Sequence, residues 1–424
     1  MRNLLSSAKI CVKFDHSTML TLAHLQAIST FCYAAIFENT GADIDKYAEY
    51  DYLIALANAD TDVFTTWEAL AESKAKWRMG ILPYQLKQHF EPKLSSEKKA
   101  EIPFPEVAFF VPQCLLIGKK GATSPQILGD TSLWESVLAA EEKPITPTQS
   151  SEFVANYTEA EYIATIEQLQ QHIKEGDTYE INLAQRFLAK SIHFSPANVY
   201  HQLRQVSQVP FAAFVKWKEL YLLCASPERF LKLQENTLIS QPIKGTAPRG
   251  KNAQEDMRYK AHLQNSLKEQ AENVMIVDLT RNDLYRSSEI NSVKVPYLFE
   301  IQSFPTVHQL VSTVIGKKRE EVSWAETIAN TFPPGSMTGA PKVRTAQLIA
   351  EYESVERGIY AGSAGYISPE NAFDFNVIIR SLVYDASQNL LSYHVGGAIT
   401  ADSVPKEEYA ETLLKAEAIR KILL

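Results

Sequence analysis

A single lysine, Lys244, stands in the middle of the segment QPIKGTAPR (residues 241–249), directly after a run with the composition of a short strand. Two prolines stiffen the segment, and Gly245 permits a turn or a close approach to a ligand. Because no acid lies beside this lysine in sequence, burial is expected to lower its pKa and to free a nucleophilic amine. An exposed lysine in an ordinary turn is the competing interpretation.

Two pairs of glutamates share one spacing on predicted helices. Glu269 and Glu272 lie three residues apart in one helix, which places them on one face. Glu408 and Glu411 repeat this spacing in the last helix. If the pairs faced each other, their oxygens could bind Mg²⁺, which takes a few carboxylates beside water and an anionic substrate group. A solvated acidic face, with salt pairs such as Glu411 and Lys415, is the alternative.

Further polar positions could protonate or bind an anionic substrate. Glu228 lies between two strand-like runs and is a candidate general acid with a raised pKa, unless it is an exposed turn residue. Arg380 could hold a carboxylate with two hydrogen bonds. Backbone N–H groups at Gly396 and Gly397, and at the helix start in residues 335–342, are further candidate anion sites.

Hydrophobic periodicity predicts the elements that must position these residues. A capping box of Thr158 and Glu161 begins a helix that Gly176 ends. Consecutive strands with short turns and inserted helices predict an α+β fold with large antiparallel sheets. The predicted helices cover residues 43–57, 66–74, 263–278, 323–330, 341–351 and 405–422, and the predicted strands cover residues 107–111, 179–187, 211–215, 220–224, 230–233, 238–241, 361–367, 375–383 and 390–395.

Composition bounds the domain organisation and the partners. A run rich in Pro, Thr and Ser, residues 141–152, is predicted to link an N-terminal region (1–140) to a catalytic domain (153–424). The net charge of −8 argues against nucleic acid as a partner. Four cysteines without CxxC spacing indicate neither zinc nor a disulfide framework, and no apolar run reaches the length of a membrane span. We therefore expect a cytoplasmic protein.

Taken in order, the motifs after residue 153 resemble the chorismate-binding enzymes, the family of the anthranilate, aminodeoxychorismate, isochorismate and salicylate synthases. The resemblance implies the family's sandwich of large antiparallel sheets with flanking helices. It is carried by GDTYEINL (176–183), SPE (226–228), PIKGT (242–246), KEQAEN (268–273), VDLTRND (277–283), FPPGSMTGAPK (332–342), RGIY (357–360), IR (379–380) and ADS (401–403) before the last glutamate pair.

The resemblance also implies a reaction. Around position 244, anthranilate synthases carry a sequence similar to Pro-Ile-Ala-Gly-Thr. A lysine in place of that alanine resembles the aminodeoxychorismate synthase component I branch of the family. By this resemblance Glu228 protonates the departing 4-hydroxyl of chorismate while Lys244 attacks C2, and ammonia from a glutamine amidotransferase subunit then adds at C4. Mg²⁺ would lie on Glu272 and Glu411, supported by Glu269 and Glu408. The implied substrate-binding residues are Thr246, Tyr360, Arg380, Gly396, Gly397 and Lys415.

Some positions depart from the family's pattern and leave alternatives open. At the position of Glu180, the family members that add water carry a lysine, and those that add an amine usually carry a glutamine. The resemblance therefore leaves the role of Glu180 open. No role is assigned to His308. Anthranilate synthase component I is the nearest alternative function. A pyridoxal-phosphate aminotransferase with Lys244 as its Schiff base and a non-catalytic chorismate-binding subunit are alternatives of other classes.

Overall fold

Two large antiparallel sheets form the centre of the protein in the computed structural model, which describes residues 20–41, 45–145 and 152–423. Within these residues one sheet has 11 strands and the other has 10. Helices flank the sheets, and none of those described is long and apolar enough to cross a membrane.

The first sheet is built from both halves of the chain. Its strands are β1 (Tyr33–Glu38), β2 (Tyr50–Ala57), β6 (Cys114–Lys119), β7 (Gln126–Gly129), β8 (Val154–Ala155), β9 (Glu180–Ala189), β10 (Phe211–Trp217), β11 (Leu220–Ser226), β17 (Gly339–Ala340), β20 (Ser381–Asp385) and β21 (Leu390–Ile399). They follow the order β17-β9-β21-β20-β11-β10-β1-β2-β6-β7, with β8 paired to β9.

The second sheet is likewise built from strands of both halves of the chain. Its strands are β3 (Val63–Phe64), β4 (Arg78–Leu82), β5 (Ala108–Phe110), β12 (Arg229–Gln234), β13 (Thr237–Gln241), β14 (Ile243–Pro248), β15 (Lys294–Ser303), β16 (Val307–Lys317), β18 (Ser363–Ile367) and β19 (Phe373–Asn376). They follow the order β14-β16-β13-β12-β19-β18-β4-β5-β3, with β15 paired to β16.

The helices connect the strands and cover the sheets. They are α1 (Leu22–Ile28), α2 (Trp67–Ala71), α3 (Lys87–Phe90), α4 (Thr131–Leu138), α5 (Glu159–Glu175), α6 (Pro196–Val206), α7 (Ala253–Asn265), α8 (Leu267–Tyr285), α9 (Trp324–Thr331), α10 (Lys342–Tyr352) and α11 (Pro405–Leu423).

Strands buried on both faces hold the sandwich together. In β1, Ala35 belongs to a cluster that includes Ile81 and Phe110 of the second sheet. The alternate residue Ile36 belongs to a cluster with Leu25 of α1 and other helical side chains. Side chains of a strand point alternately to its two faces, so one strand contributes to the layer between the sheets and to the layer under the helices. This architecture confirms the predicted α+β sandwich with flanking helices.

Two predicted elements are divided, and one is of the wrong type. The helix predicted at 263–278 is interrupted at Ser266, which ends α7 and caps α8 with its side chain. The strand predicted at 375–383 is two strands of different sheets, separated by a crossing segment that includes Arg380 at φ 51°. The helix predicted at 43–57 is wrong, because residues 50–57 form β2; residues 42–44 lie outside the described part.

The predicted linker at 141–152 joins two regions of the chain that contribute strands to the same two sheets. Each sheet contains strands from the predicted N-terminal region and from the predicted catalytic domain. Residues 141–145 form neither helix nor strand, and 146–151 lie outside the described residues. The N-terminal strands β1, β2, β4 and β5 therefore complete the sandwich on which the candidate site is built.

Candidate active site

Lys244 and Glu180 form an ion pair between the two sheets. Lys244 is the second residue of β14, and Glu180 is the first residue of β9. The distance from Lys244 Nζ to Glu180 Oε1 is 2.6 Å, and the two side chains are 10% and 0% exposed. The second carboxylate oxygen, Glu180 Oε2, is buried without a hydrogen-bond partner. An amine and a carboxylate thus meet in a nearly water-free place.

The charge state of Lys244 follows from its neighbours. Burial lowers the pKa of the lysine, but the carboxylates of Glu180, Glu272 and Glu228 together outweigh burial and hold the pKa above its usual value. The predicted lowered pKa is therefore wrong for the protein without substrate. The reason is tertiary, because the acid that pairs with Lys244 lies 64 residues earlier in the chain.

Glu228 lies beside the lysine and has the opposite electrostatic character. It is buried between β11 and β12, and desolvation raises the pKa of its carboxyl group to about 7. A hydrogen bond from Ser336 and the charges of Lys244 and Arg380 act in the lowering direction. The predicted raised pKa is confirmed, so near neutrality this carboxyl group can be a proton donor. Ser336 was not predicted as a partner, although it lies in the loop 335–342 considered as an anion site.

The two glutamate pairs face the same space from different helices. Burial raises the pKa of Glu272 to about 7 and raises the pKa values of Glu269 and Glu408. The negative charge of Glu411 on α11 raises the pKa of Glu269 on α8, so the helices are within electrostatic range across the site. Among the described residues, no three of these four carboxylates have oxygens that all lie within 4.8 Å of one another.

These carboxylates fit a hard divalent cation by chemistry and by charge. Burial and mutual repulsion raise the pKa values of three of them, and a bound cation would relieve both effects. Glu411 also shows the alternative arrangement, since its side chain is 55% exposed and pairs with Lys415 at 2.7 Å. The assignment of Mg²⁺ to these residues stays a prediction.

The glycine pair on β21 lies beside α11. Gly396 accepts a hydrogen bond from Lys415 Nζ at 2.8 Å through its carbonyl oxygen. A Cβ atom at Gly396 would lie 2.4 Å from the carbonyl oxygen of Leu183 on β9, so only glycine permits this close approach. A Cβ atom at Gly397 would lie 3.4 Å from Glu408 Oε2. The predicted carboxylate-binding backbone and the predicted cation ligands are therefore neighbours.

The remaining predicted substrate-binding residues have different environments. Tyr360 is buried, which raises its pKa, and its ring stacks on His394 of β21 with centroids 5.0 Å apart. Arg380 is the exposed last residue of the otherwise mostly buried segment between β19 and β20, within electrostatic range of Glu228. Thr246 is exposed on β14, two residues beyond Lys244. Their roles as substrate ligands stay predictions.

His308 has a structural environment. Its ring nitrogens lie 2.8 Å from Ser303 Oγ and 3.1 Å from Asp256 Oδ1, and Asp256 also forms an ion pair with Arg249. The imidazole is buried on β16 with both nitrogens engaged. These contacts indicate that His308 joins β16 to the start of α7.

Comparisons with known proteins show what the chain as a whole is similar to. The family model described as chorismate binding enzyme matches residues 44–421. The chain is 38% identical to an aminodeoxychorismate synthase component 1 of Klebsiella aerogenes, over 80% of this chain and 76% of that protein. It is 40% identical to a probable chloroplastic aminodeoxychorismate synthase of Oryza sativa subsp. japonica, over 64% of this chain.

The extent of these similarities differs. The chain spans about 30% of the length of the rice protein. Among solved structures, anthranilate synthase component I from Streptococcus pneumoniae TIGR4 superimposes with a TM-score of 0.75 at 24% identity, covering 88% of this chain and 93% of that one. At this identity the superposition supports the sandwich fold alone.

Proposed function

The chain belongs to the family of chorismate binding enzymes, and we propose that it converts chorismate and ammonia to 4-amino-4-deoxychorismate, the reaction of an aminodeoxychorismate synthase component 1. The observation that carries the proposal is that Lys244, a lysine with little solvent exposure, lies within electrostatic range of Glu228, a buried acid of raised pKa. A lysine can attack the ring, and the acid can protonate the hydroxyl that leaves.

Each residue has a distinct task in this reaction. Glu228, with a pKa of about 7, donates its proton to the departing 4-hydroxyl of chorismate, which leaves as water. Lys244 forms a covalent bond to C2 of the ring. Ammonia then bonds to C4 and the lysine leaves C2, so that one difficult substitution is divided into two easier steps.

Two groups of residues would hold the two carboxylates of the substrate. Mg²⁺ on Glu272 and Glu411, with Glu269 and Glu408 beside them, would supply positive charge opposite the ring carboxylate. The enolpyruvyl carboxylate would be held by a second group of residues. The residues that we assign to it are Tyr360, Arg380 and the backbone N–H groups of Gly396 and Gly397, and Thr246 and Lys415 would be further substrate contacts.

Identification of the product by mass and NMR tests the proposal. Purified protein with chorismate, Mg²⁺ and ammonium is expected to yield 4-amino-4-deoxychorismate. Anthranilate as the product would instead indicate the alternative activity, that of anthranilate synthase component I. The lysine at position 244 argues against this alternative. A yellow chromophore reducible by borohydride would indicate a pyridoxal-phosphate enzyme, and absence of any product would indicate a non-catalytic subunit.

The nitrogen source is expected to be ammonium for this chain alone. None of the four cysteines lies in a Gly-x-Cys-x-Gly glutaminase context. We therefore expect product from ammonium, and product from glutamine only after a separate amidotransferase subunit is added. The check is a product assay with each nitrogen source, and glutamine-dependent turnover by the purified chain would contradict the expectation.

In this proposal the enzyme works in the reducing cytoplasm, which suits the three described cysteines, all of them free.

Replacing one predicted cation ligand should weaken two binding events together. Glu272→Gln and Glu411→Gln are each expected to lower the affinity for Mg²⁺ and for chorismate by about tenfold or more, because the ion joins enzyme and carboxylate. Calorimetry measures both affinities. Glu417→Gln, an exposed charge change on α11, is the matched control. Unchanged Mg²⁺ affinity in both variants would assign the glutamates to a solvated face.

A further inference from the structure

We propose that Glu180 is the proton acceptor that converts Lys244 from an ammonium ion into the attacking amine. This inference rests on the proposed function and deepens it, since it assigns a catalytic task to a residue that the family resemblance left open. Glu180 Oε1 lies 2.6 Å from Lys244 Nζ, within direct proton-transfer distance. Its Oε2 is buried and unpartnered, so the carboxylate retains the capacity to take another hydrogen.

The surroundings of the lysine leave one acceptor for its proton. Lys244 on β14 is faced by Glu180 on β9, by Glu269 and Glu272 on α8, and by Glu228 before β12. Glu228 must carry its own proton to act as an acid, so it is not the acceptor. The two α8 glutamates are assigned to the cation, and neither forms an ion pair with this lysine among the described residues.

Burial makes the proton transfer local. The lysine is held as an ammonium ion by its carboxylate neighbours, yet an amine attacks carbon only after one proton has left. Bulk water has little access, because the side chains of Lys244 and Glu180 are 10% and 0% exposed. Transfer to the hydrogen-bonded carboxylate produces two neutral groups within one hydrogen bond, so no charge has to cross the poorly solvated site.

The protons and bonds balance over the cycle. One proton moves from Lys244 Nζ to Glu180, and the amine lone pair bonds to C2. The ring double bonds C1=C2 and C5=C6 become C1=C6 and C4=C5, the C4–O bond breaks, and water leaves with the proton of Glu228. Ammonia then bonds to C4, the double bonds return, and the C2–N bond breaks with its pair on Nζ. Glu180 returns its proton to the lysine, and the new C4 ammonium reprotonates Glu228.

The test uses Glu180→Gln in the full chain, since glutamine keeps the shape and an accepting oxygen but takes no proton. At pH 7 its amination rate is expected to fall by about 10²-fold, the lower part of the range for a lost acid–base group. Chorismate affinity by calorimetry should change little. The ratio of wild-type to variant rate should narrow as pH rises, because a growing fraction of Lys244 is then already neutral and needs no proton acceptor. Glu175→Gln, an exposed charge change before β9, is the matched control.

A second variant separates proton transfer from positioning. Glu180→Ala is expected to regain activity when formate is added, because a small carboxylate can occupy the vacated space, whereas wild type should not respond. Equal rates in wild type and Glu180→Gln would overturn the inference, as would a loss that neither high pH nor formate restores. If wild type itself yields no 4-amino-4-deoxychorismate, the proposed function fails instead, which keeps the two failures distinguishable.

Discussion

Replacing Lys244 with alanine is expected to lower the rate of amination at C4 by about 10³-fold or more, since loss of a covalent nucleophile is among the costliest single changes in an enzyme. The variant should form no covalent adduct. Ammonia attack at C2 would then be the reaction left to the rest of the site, giving 2-amino-2-deoxyisochorismate. Product identity and rate, measured by chromatography with mass detection, give the result.

Two further variants test whether the activity needs a nucleophilic amine at position 244 or only a positive charge. Lys244→Arg is expected to be as inactive as the alanine variant, because a guanidinium stays protonated and does not attack carbon. Lys174→Ala, at an exposed position of α5 outside the candidate site, removes the same type of charge and should retain full activity. An arginine variant that works as well as wild type would contradict the nucleophile role, since it would show that position 244 needs only a positive charge.

Glu228→Gln is expected to lower the rate by about 10² to 10⁴-fold, the usual range for loss of a general acid. The same residue should set the alkaline limb of the pH profile. Glu228 acts in its protonated form and its pKa is about 7, so the wild-type turnover number should fall as pH rises through neutrality. The residual activity of the glutamine variant should lack this limb.

The pH profile of kcat over pH 6 to 9 is the measurement for Glu228. Glu167→Gln, an exposed carboxylate on α5, is the matched control and should keep both the rate and the alkaline limb. A profile whose alkaline limb is identical in wild type and Glu228→Gln would show that another group titrates. The acid assignment would then be withdrawn, even if the rate of the variant were low.

Local features of the fold could be predicted because their determinants are local. Thr158 and Glu161 form the predicted capping box, and Gly176 ends α5 in the left-handed conformation at φ 83°. Both depend on residues within one helical turn of the helix end. The exchange of strands between sheets was missed, because residues 377–380 continue the apolar pattern of a strand while the chain crosses from β19 to β20.

The sequence indicated the residue types of the candidate site and the raised pKa of Glu228, but not the charge state of Lys244. Lys244 and Glu228 were identified from segment composition and from resemblance, and Glu228 has the raised pKa that burial implies. The ion pair of Lys244 with Glu180 forms because the fold brings β14 close to β9, and the residues next to Lys244 in sequence do not indicate this contact. A departure from the family at Glu180 was the one available signal, and its meaning became visible only in three dimensions.

Formation of a covalent bond between chorismate and Lys244 is tested by mass spectrometry of wild-type protein quenched during turnover. After digestion, the peptide carrying Lys244 is expected to gain the mass of chorismate less one water. Lys244→Ala gives the background, and Glu180→Gln should show the adduct forming more slowly. A wild-type enzyme that makes 4-amino-4-deoxychorismate rapidly with no adduct at any quench time, or that makes only the C2-aminated product, would contradict the account.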